Sequence, residues 1–203
     1  MHSLRMSALP APALARHGVL VLAAGSSKRL GRSKQLIEID GEPLLRRVAR
    51  FALSTDPQDC VVVLGHDAAR IATALHGLAL RRLSIDDFGS GMAASLRAGI
   101  AALDSNCAGV LIVLTDQPAL TSDHLAALCA TWRVAPERAV ASAYAGVLGV
   151  PALLPRAWFA DLIALRGDTG ARDLLRARRG DVSAIRAKEL ARDLDTPADI
   201  QHI

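Results

Sequence analysis

The chain has 203 residues, of which 51% are hydrophobic and only 3% aromatic, a size and composition that suit one globular domain with an aliphatic core rather than two small domains. Its net charge of +4 comes almost wholly from arginine, since Lys28, Lys34 and Lys188 are the only lysines. With no long cationic run and no aromatic stacking set, this balance argues against nucleic acid and suits a small anionic substrate.

Met1 to His17 carries Arg5 and Arg16 but no acidic residue, and Pro10 and Pro12 interrupt its apolar part. No clean cleavage site follows, so the segment reads as a mobile extension ahead of a single domain over residues 18–203. Val19-Leu20-Val21-Leu22 is an apolar run that stops at Ala23-Ala24-Gly25, which predicts a buried strand and a turn. Gln35 to Ile39 with Asp40-Gly41 predicts a short strand and turn, and Pro43 opens a helix through about Ser54. Cys60 to Leu64 is a second buried strand, Asp67 to His76 a helix, and Leu78 to Ile85 a third strand. A loop over Asp86 to Gly91 leads into a helix over Met92 to Leu103, and Gly109 to Leu114 is hydrophobic enough for a central strand. A helix over Ser122 to Trp132, a strand over Ala139 to Ala143, a Gly-rich turn, and helices near Pro155 to Ile163 and Thr169 to Arg178 follow. This alternation predicts an α/β fold with a largely parallel sheet. Cys60, Cys107 and Cys129 are odd in number, far apart and set in apolar segments, so neither a disulfide framework nor a zinc spacing can be built. A reducing cytoplasm is the expected compartment. No run of about 18 apolar residues offers a membrane span.

In open α/β sheets ligands collect beyond the carboxyl ends of the strands, so the residues after each strand carry most of the information. After the first strand, Lys28, Arg29, Arg32 and Lys34 are interleaved with Gly25, Gly31 and serines, and no acid appears before Glu38. Small residues let a polyphosphate approach backbone N–H groups and the cations neutralise it; a solvated basic loop is the other reading. The spacing fits neither a P-loop nor a dinucleotide fingerprint. After the fourth strand comes Thr115-Asp116-Gln117-Pro118, where a carboxylate suits a magnesium ion that bridges nucleotide phosphates, or merely starts a turn. Asp195 is a second candidate ligand; the competing role, capping a short helix from Pro197, can be filled by Thr196 instead. No Ser-His-Asp order, His pair or Cys-His pair suggests a different mechanism.

Leu22, Ala23, Ala24, Gly25, Ser27, Arg29, Gly31 and Lys34 resemble, at every fixed position, the LAAGxSxRxGxxK signature of the molybdenum cofactor cytidylyltransferase family, within the wider sugar-nucleotide-type nucleotidyltransferases. The resemblance continues through Gly91-Met92 to Ser95-Leu96-Arg97-Ala98-Gly99, Asp116-Gln117-Pro118, Gly146 to Pro151, Gly167-Asp168 to Arg172, and Asp193 to Pro197. It departs at Leu30, where Met is frequent, and at Asp86-Asp87, where Asn is frequent and extra acid opposes a phosphate. The resemblance implies a three-layer sandwich with a mostly parallel central sheet, the nucleotidyltransferase (nucleotide-diphospho-sugar transferase-like) fold. It implies transfer of CMP from CTP to molybdenum-bound molybdopterin with release of pyrophosphate. Arg29, Lys34 and Asp116 would be catalytic, the first two holding the triphosphate. Leu22, Ala23, Ala24, Gly25 and Ser95 would contact the nucleotide, Arg172 the acceptor, and Asp116 with Asp195 a Mg2+ ion. Implied partners are CTP, molybdopterin and a receiving molybdoenzyme or its chaperone. The alternatives are a GTP-using enzyme, one acting on a sugar or polyol phosphate, or a delivery protein without turnover. Lys34, Asp116 and Asp195 together argue against the last. Ala24 stands where related guanylyltransferases carry Gly, which favours CTP over the larger GTP.

Overall fold

The first apolar run forms the centre of the molecule in the computed structural model, which describes residues 15–201. In chain order the elements are β1 (His17–Ala23), β2 (Glu38–Ile39), β3 (Glu42–Pro43), α1 (Leu44–Leu53), β4 (Asp59–Leu64), α2 (Ala68–Ile71), β5 (Arg81–Ser84), α3 (Met92–Ala102) and β6 (Gly109–Leu114). There follow α4 (Ser122–Val134), β7 (Ala139–Tyr144), β8 (Val147–Pro155), α5 (Phe159–Ala164), α6 (Ala171–Ala177), β9 (Val182–Arg186) and α7 (Pro197–Ile200). Seven strands make one sheet in the order β5-β4-β1-β6-β8-β7-β9. β1 pairs in parallel with β4 and β6, β4 with β5, and β7 with β9, while β8 runs antiparallel to both β6 and β7. The expected α/β fold with a mostly parallel central sheet is therefore borne out.

Alternation along β1 divides the core. Val19, Val21 and Ala23 face a layer that includes Leu45 and Val48 of α1 and Leu125, Leu128 and Trp132 of α4. Leu20 and Leu22 face Leu96 and Ile100 of α3, Leu162 of α5 and Leu175 of α6. A strand covered on both faces needs apolar residues at every position, which is why its sequence reads as a continuous run. Gly99 lets α3 lie directly on β1, since a Cβ there would meet Leu20 Cδ1 at 2.2 Å.

Several expectations need correction. Most of the expected extension, Met1 to Leu14, lies outside the described residues, but its boundary after His17 does not hold. His17 is the first residue of β1 and 1% exposed, with its ring nitrogen 2.9 Å from Thr55 Oγ1 and its ring edge toward Trp132. The segment read as a Gly-rich turn holds β8, whose Gly149 and Pro151 mask its strand character; its pairing with β7 is interrupted by a register shift between Ala141 and Ser142. β9 escaped notice because Val182 to Arg186 is a short, half-exposed edge strand. The helix expected over Asp67 to His76 is a single turn, α2, followed by a 3-10 turn, and the strand expected over Leu78 to Ile85 is only β5. Gln35 lies in a 3-10 turn, so of Gln35 to Ile39 only β2 is extended. Among the described residues no helix is long and apolar enough to cross a membrane.

Candidate active site

The loop after β1 is shaped by its own polar side chains. Ser27 takes a left-handed conformation, its carbonyl accepts from the backbone of Leu30 and Gly31, and its hydroxyl accepts from Lys34 N at 3.1 Å. Gln35 is fully buried, and its amide donates to the carbonyls of Ala23 (3.0 Å) and Gly25 (2.9 Å). These bonds fold the loop back over the end of β1 and set Lys34 beside it.

Lys34 then joins two carboxylates from distant parts of the chain. Its ammonium lies 3.1 Å from Asp116 Oδ2 and 3.2 Å from Asp195 Oδ1, and Arg29 reaches Asp195 Oδ2 at 2.8 Å. Asp116 arrives at the mouth of β6. Asp195 is brought to it by the backbone, because Leu194 is buried and its N–H donates to the Asp116 carbonyl at 2.6 Å. Thr196 and Asp199 cap α7 between themselves, Asp199 accepting from the backbone N–H of both Asp195 and Thr196. The Asp195 carboxylate is thereby left to Lys34 and Arg29, with which it borders a small cavity of about 220 Å3 beside the loop after β1. Burial alone would lower the pKa of Lys34, but the charges and hydrogen bonds of Asp116 and Asp195 more than offset it and hold the ammonium above its ordinary value.

Asp116 Oδ1 is buried without a hydrogen-bond partner. A buried carboxylate oxygen with no donor is costly unless something else is meant to meet it. Two converging carboxylates with one such oxygen fit a hard divalent cation that takes few protein ligands and keeps its waters or substrate phosphates. Among the described residues no group of three or more His, Cys, Asp or Glu offers a different metal site.

Two cavities meet at Asp116. One of about 390 Å3 is lined by Ala24, Gly25, Lys34, Phe88, Ser95 and Asp116. The other, of about 730 Å3, is lined by Tyr144, Gly149, Arg172 and Asp193 among others, and also reaches Asp116. Leu22, Met92, Leu114 and Asp168 border both as well. Part of the wall between them is a backbone contact: Ala93 N donates to Gly167 O at 3.1 Å, and a Cβ on Gly91 would meet Gly167 carbonyl atoms at 2.4 Å. The structure thus brings together Arg29, Lys34, Asp116 and Asp195, and gathers Leu22, Ala24, Gly25 and Ser95 around the smaller cavity. It sets Arg172 on the other side. Ala23 lines neither cavity; its side chain is in the core and its carbonyl is taken by Gln35. Asp86 and Asp87 are exposed and outside the lining of the smaller cavity, so the loop presents Phe88 and Gly89 to it rather than acid.

Sequence reasoning passed over three residues. Gln35 is one, and only its place after the signature lysine could have marked it. Gln117 is buried and its amide donates to Val150 O (3.1 Å) and Leu190 O (3.2 Å), tying the loop after β6 to β8 and the C-terminal segment. Asp193 is the third. Loss of water around it, with repulsion from Asp116 and Asp195, pushes its pKa up to about 6.

Residues 19–182 match the family described as "MobA-like NTP transferase domain". The chain belongs to this family. As a MobA-like transferase it is a nucleotidyltransferase, as the loop after β1 implied. It is 32% identical over 189 residues to "Purine catabolism protein PucB" of Bacillus subtilis strain 168, covering 88% of this chain and 91% of that protein. It is 33% identical over 191 residues to "Nicotine blue oxidoreductase" of Paenarthrobacter nicotinovorans, with the same coverage of 88% and 91%. The crystal structure of Rv0371c from Mycobacterium tuberculosis H37Rv superposes with a TM-score of 0.81 at 26% identity, over 92% of this MobA-like chain and 97% of that one. A manganese complex of that protein superposes at 0.77 and 23% identity, over the same shares of 92% and 97%, a likeness of fold.

Proposed function

We propose that this MobA-like transferase moves CMP from CTP to molybdenum-bound molybdopterin, releasing pyrophosphate and giving the cytosine dinucleotide form of the cofactor. The observation that carries the reading is the position of Asp116, which borders both cavities and reaches Asp195 through Lys34. A phosphate of an acceptor in the larger cavity can there meet the α-phosphorus of a triphosphate lying along the loop after β1. An acceptor phosphate oxygen forms a bond to the α-phosphorus, the bond to the β-phosphate oxygen breaks, and pyrophosphate carries away the electron pair. Little covalent chemistry falls to the protein, so positioning and charge carry the rate.

Arg29 and Lys34 exchange their carboxylate partners for triphosphate oxygens as the nucleotide enters. Ala24 and Gly25 border the base and ribose, with Ser95 opposite, and the Ala24 methyl narrows the room for a purine. A magnesium ion held by Asp116 and Asp195 would supply charge neutralisation at the phosphates. Arg172 orients the acceptor with a fixed guanidinium fork. In the described residues all three cysteines are free and buried, which suits a reducing cytoplasm, where a molybdoenzyme or its chaperone would collect the product. The test is magnesium-dependent pyrophosphate release with each of the four triphosphates, with and without molybdopterin. Release that needs CTP and molybdopterin together is expected. Better use of GTP, or turnover only with a sugar or polyol phosphate, would replace this reading.

A further inference from the structure

Three guanidinium groups line the larger cavity: Arg172 and Arg176 on α6 and Arg179 just beyond its end. A spacing of four residues sets Arg172 and Arg176 on one side of α6, about 6 Å apart along its axis, and Arg179 follows in a 3-10 turn past the helix end. The row begins at the wall between the cavities, since Gly170, just before α6, lies so close to Met92 that a Cβ would meet its sulfur at 2.9 Å. From there it leads away. The neighbouring residues are committed elsewhere: Ala171 and Leu175 of α6 are in the core, and Arg178, just past the helix end, pairs with Asp161 and lies over Trp158. Among the described residues neither Arg172 nor Arg179 has an ion-pair partner, and Arg176 holds only Asp173, at 2.9 Å in an exposed pair. The carboxylates Asp116, Asp168, Asp173 and Asp193 also line this cavity, so its lining carries both signs of charge.

We infer that Arg176 and Arg179 form a second anion subsite, so that the acceptor carries anionic groups at both ends: a phosphate that reaches Asp116, and an oxyanion further along the row. This rests on the nucleotidyl-transfer reading of the same cavity. A neutral sugar or polyol tail would gain little from a row of arginines of which two have no ion-pair partner among the described residues and the third only an exposed one. Guanidinium forks instead match the paired oxygens of a phosphate, or of a metal-oxo group such as molybdenum held by the sulfurs of molybdopterin.

Calorimetric titration of the full chain, saturated with CTP and magnesium, decides the matter with inorganic molybdate and inorganic phosphate as separate probes. Oxyanion binding should weaken at least tenfold in Arg176→Gln/Arg179→Gln and remain unchanged in the charge-matched Arg16→Gln/Arg82→Gln, whose residues border neither cavity. Tighter binding of molybdate than of phosphate identifies the second group as a metal-oxo centre, and the reverse as a second phosphate. No binding to the unaltered chain, or equal binding in both double variants, overturns the subsite. Failure of molybdopterin to support pyrophosphate release would sink the proposed acceptor instead, and leaves the titration to judge the subsite.

Discussion

Asp116 spends one oxygen on Lys34 and leaves the other buried and unmatched, and the two demands can be separated experimentally. Asp116→Asn keeps the size and the contact to Lys34 but removes the charge. Turnover should fall roughly 100-fold or more, about 2.7 kcal/mol of transition-state stabilisation, with an unchanged circular dichroism spectrum. Near-normal pyrophosphate release from that variant would remove Asp116 from the site. His17 makes a prediction about stability instead. Burial, with Arg133 nearby, lowers its pKa from 6.5 to about 4, so between those values the unfolded chain takes up a proton that the folded one refuses. The stabilisation is complete well above pH 6.5 and is lost as the pH falls toward 4, the loss reaching about 2 kcal/mol at pH 5. Asp193, with its raised pKa, shifts stability in the opposite sense, so the readout is the difference between the unaltered chain and His17→Gln across pH 5–7. A difference that does not change with pH refutes the assignment. Both residues show what sequence reveals at this scale. Asp116 was legible because it follows a recognisable strand within a recognisable motif, whereas the burial of His17 depends on Thr55 and Trp132, which no local pattern connects to it.

At the scale of elements, the parallel half of the sheet was legible because β1, β4 and β6 are each covered on both faces and so read as unbroken apolar runs. The other half was not. β8 contains a glycine and a proline and β9 is half-exposed, and both are fixed by pairing with β7 rather than by their own propensities. The same limit applied to the cleft: the motifs after β1 and β6 were visible, but not the backbone contact between the start of α3 and the loop before α6 that divides it. That contact can be tested through Gly91, which has φ 93° and ψ 179° and faces Gly167 carbonyl atoms 2.4 Å from where a Cβ would stand. Gly91→Ala should cost about 1–3 kcal/mol, read by denaturant titration, because only glycine adopts this conformation without strain. It should also raise KM for both substrates, since the wall borders both cavities. A variant as stable as the parent would show that the wall yields easily.

For the whole molecule, the site is assembled from residues that lie as far apart in sequence as Lys34 and Asp195. Ligands bound there should hold those distant segments together. CTP with magnesium at about 100 times its Kd should add about 2.7 kcal/mol, or roughly 5–10 °C in Tm for a chain of this size. CTP without the metal should give less, and the Asp116→Asn/Asp195→Asn variant should show no gain from the metal; an equal shift in all three would place the nucleotide elsewhere. The three buried thiols allow such opening to be followed segment by segment. Burial pushes Cys60 up to about 12 and Cys107 and Cys129 to about 11, so at neutral pH each is both sheltered and almost wholly un-ionised. A disulfide exchange reagent should therefore react only during excursions that expose the sulfur, and its rate at each position becomes a measure of how often that part of the chain breathes. Cys60 and Cys129 belong to the layer of α1 and α4, while Cys107 packs against Gly18 at the end of β1 away from the cleft. Labelling should slow at all three if CTP steadies the molecule as one cooperative unit, and should leave Cys107 unchanged if that end of the sheet opens independently of the site.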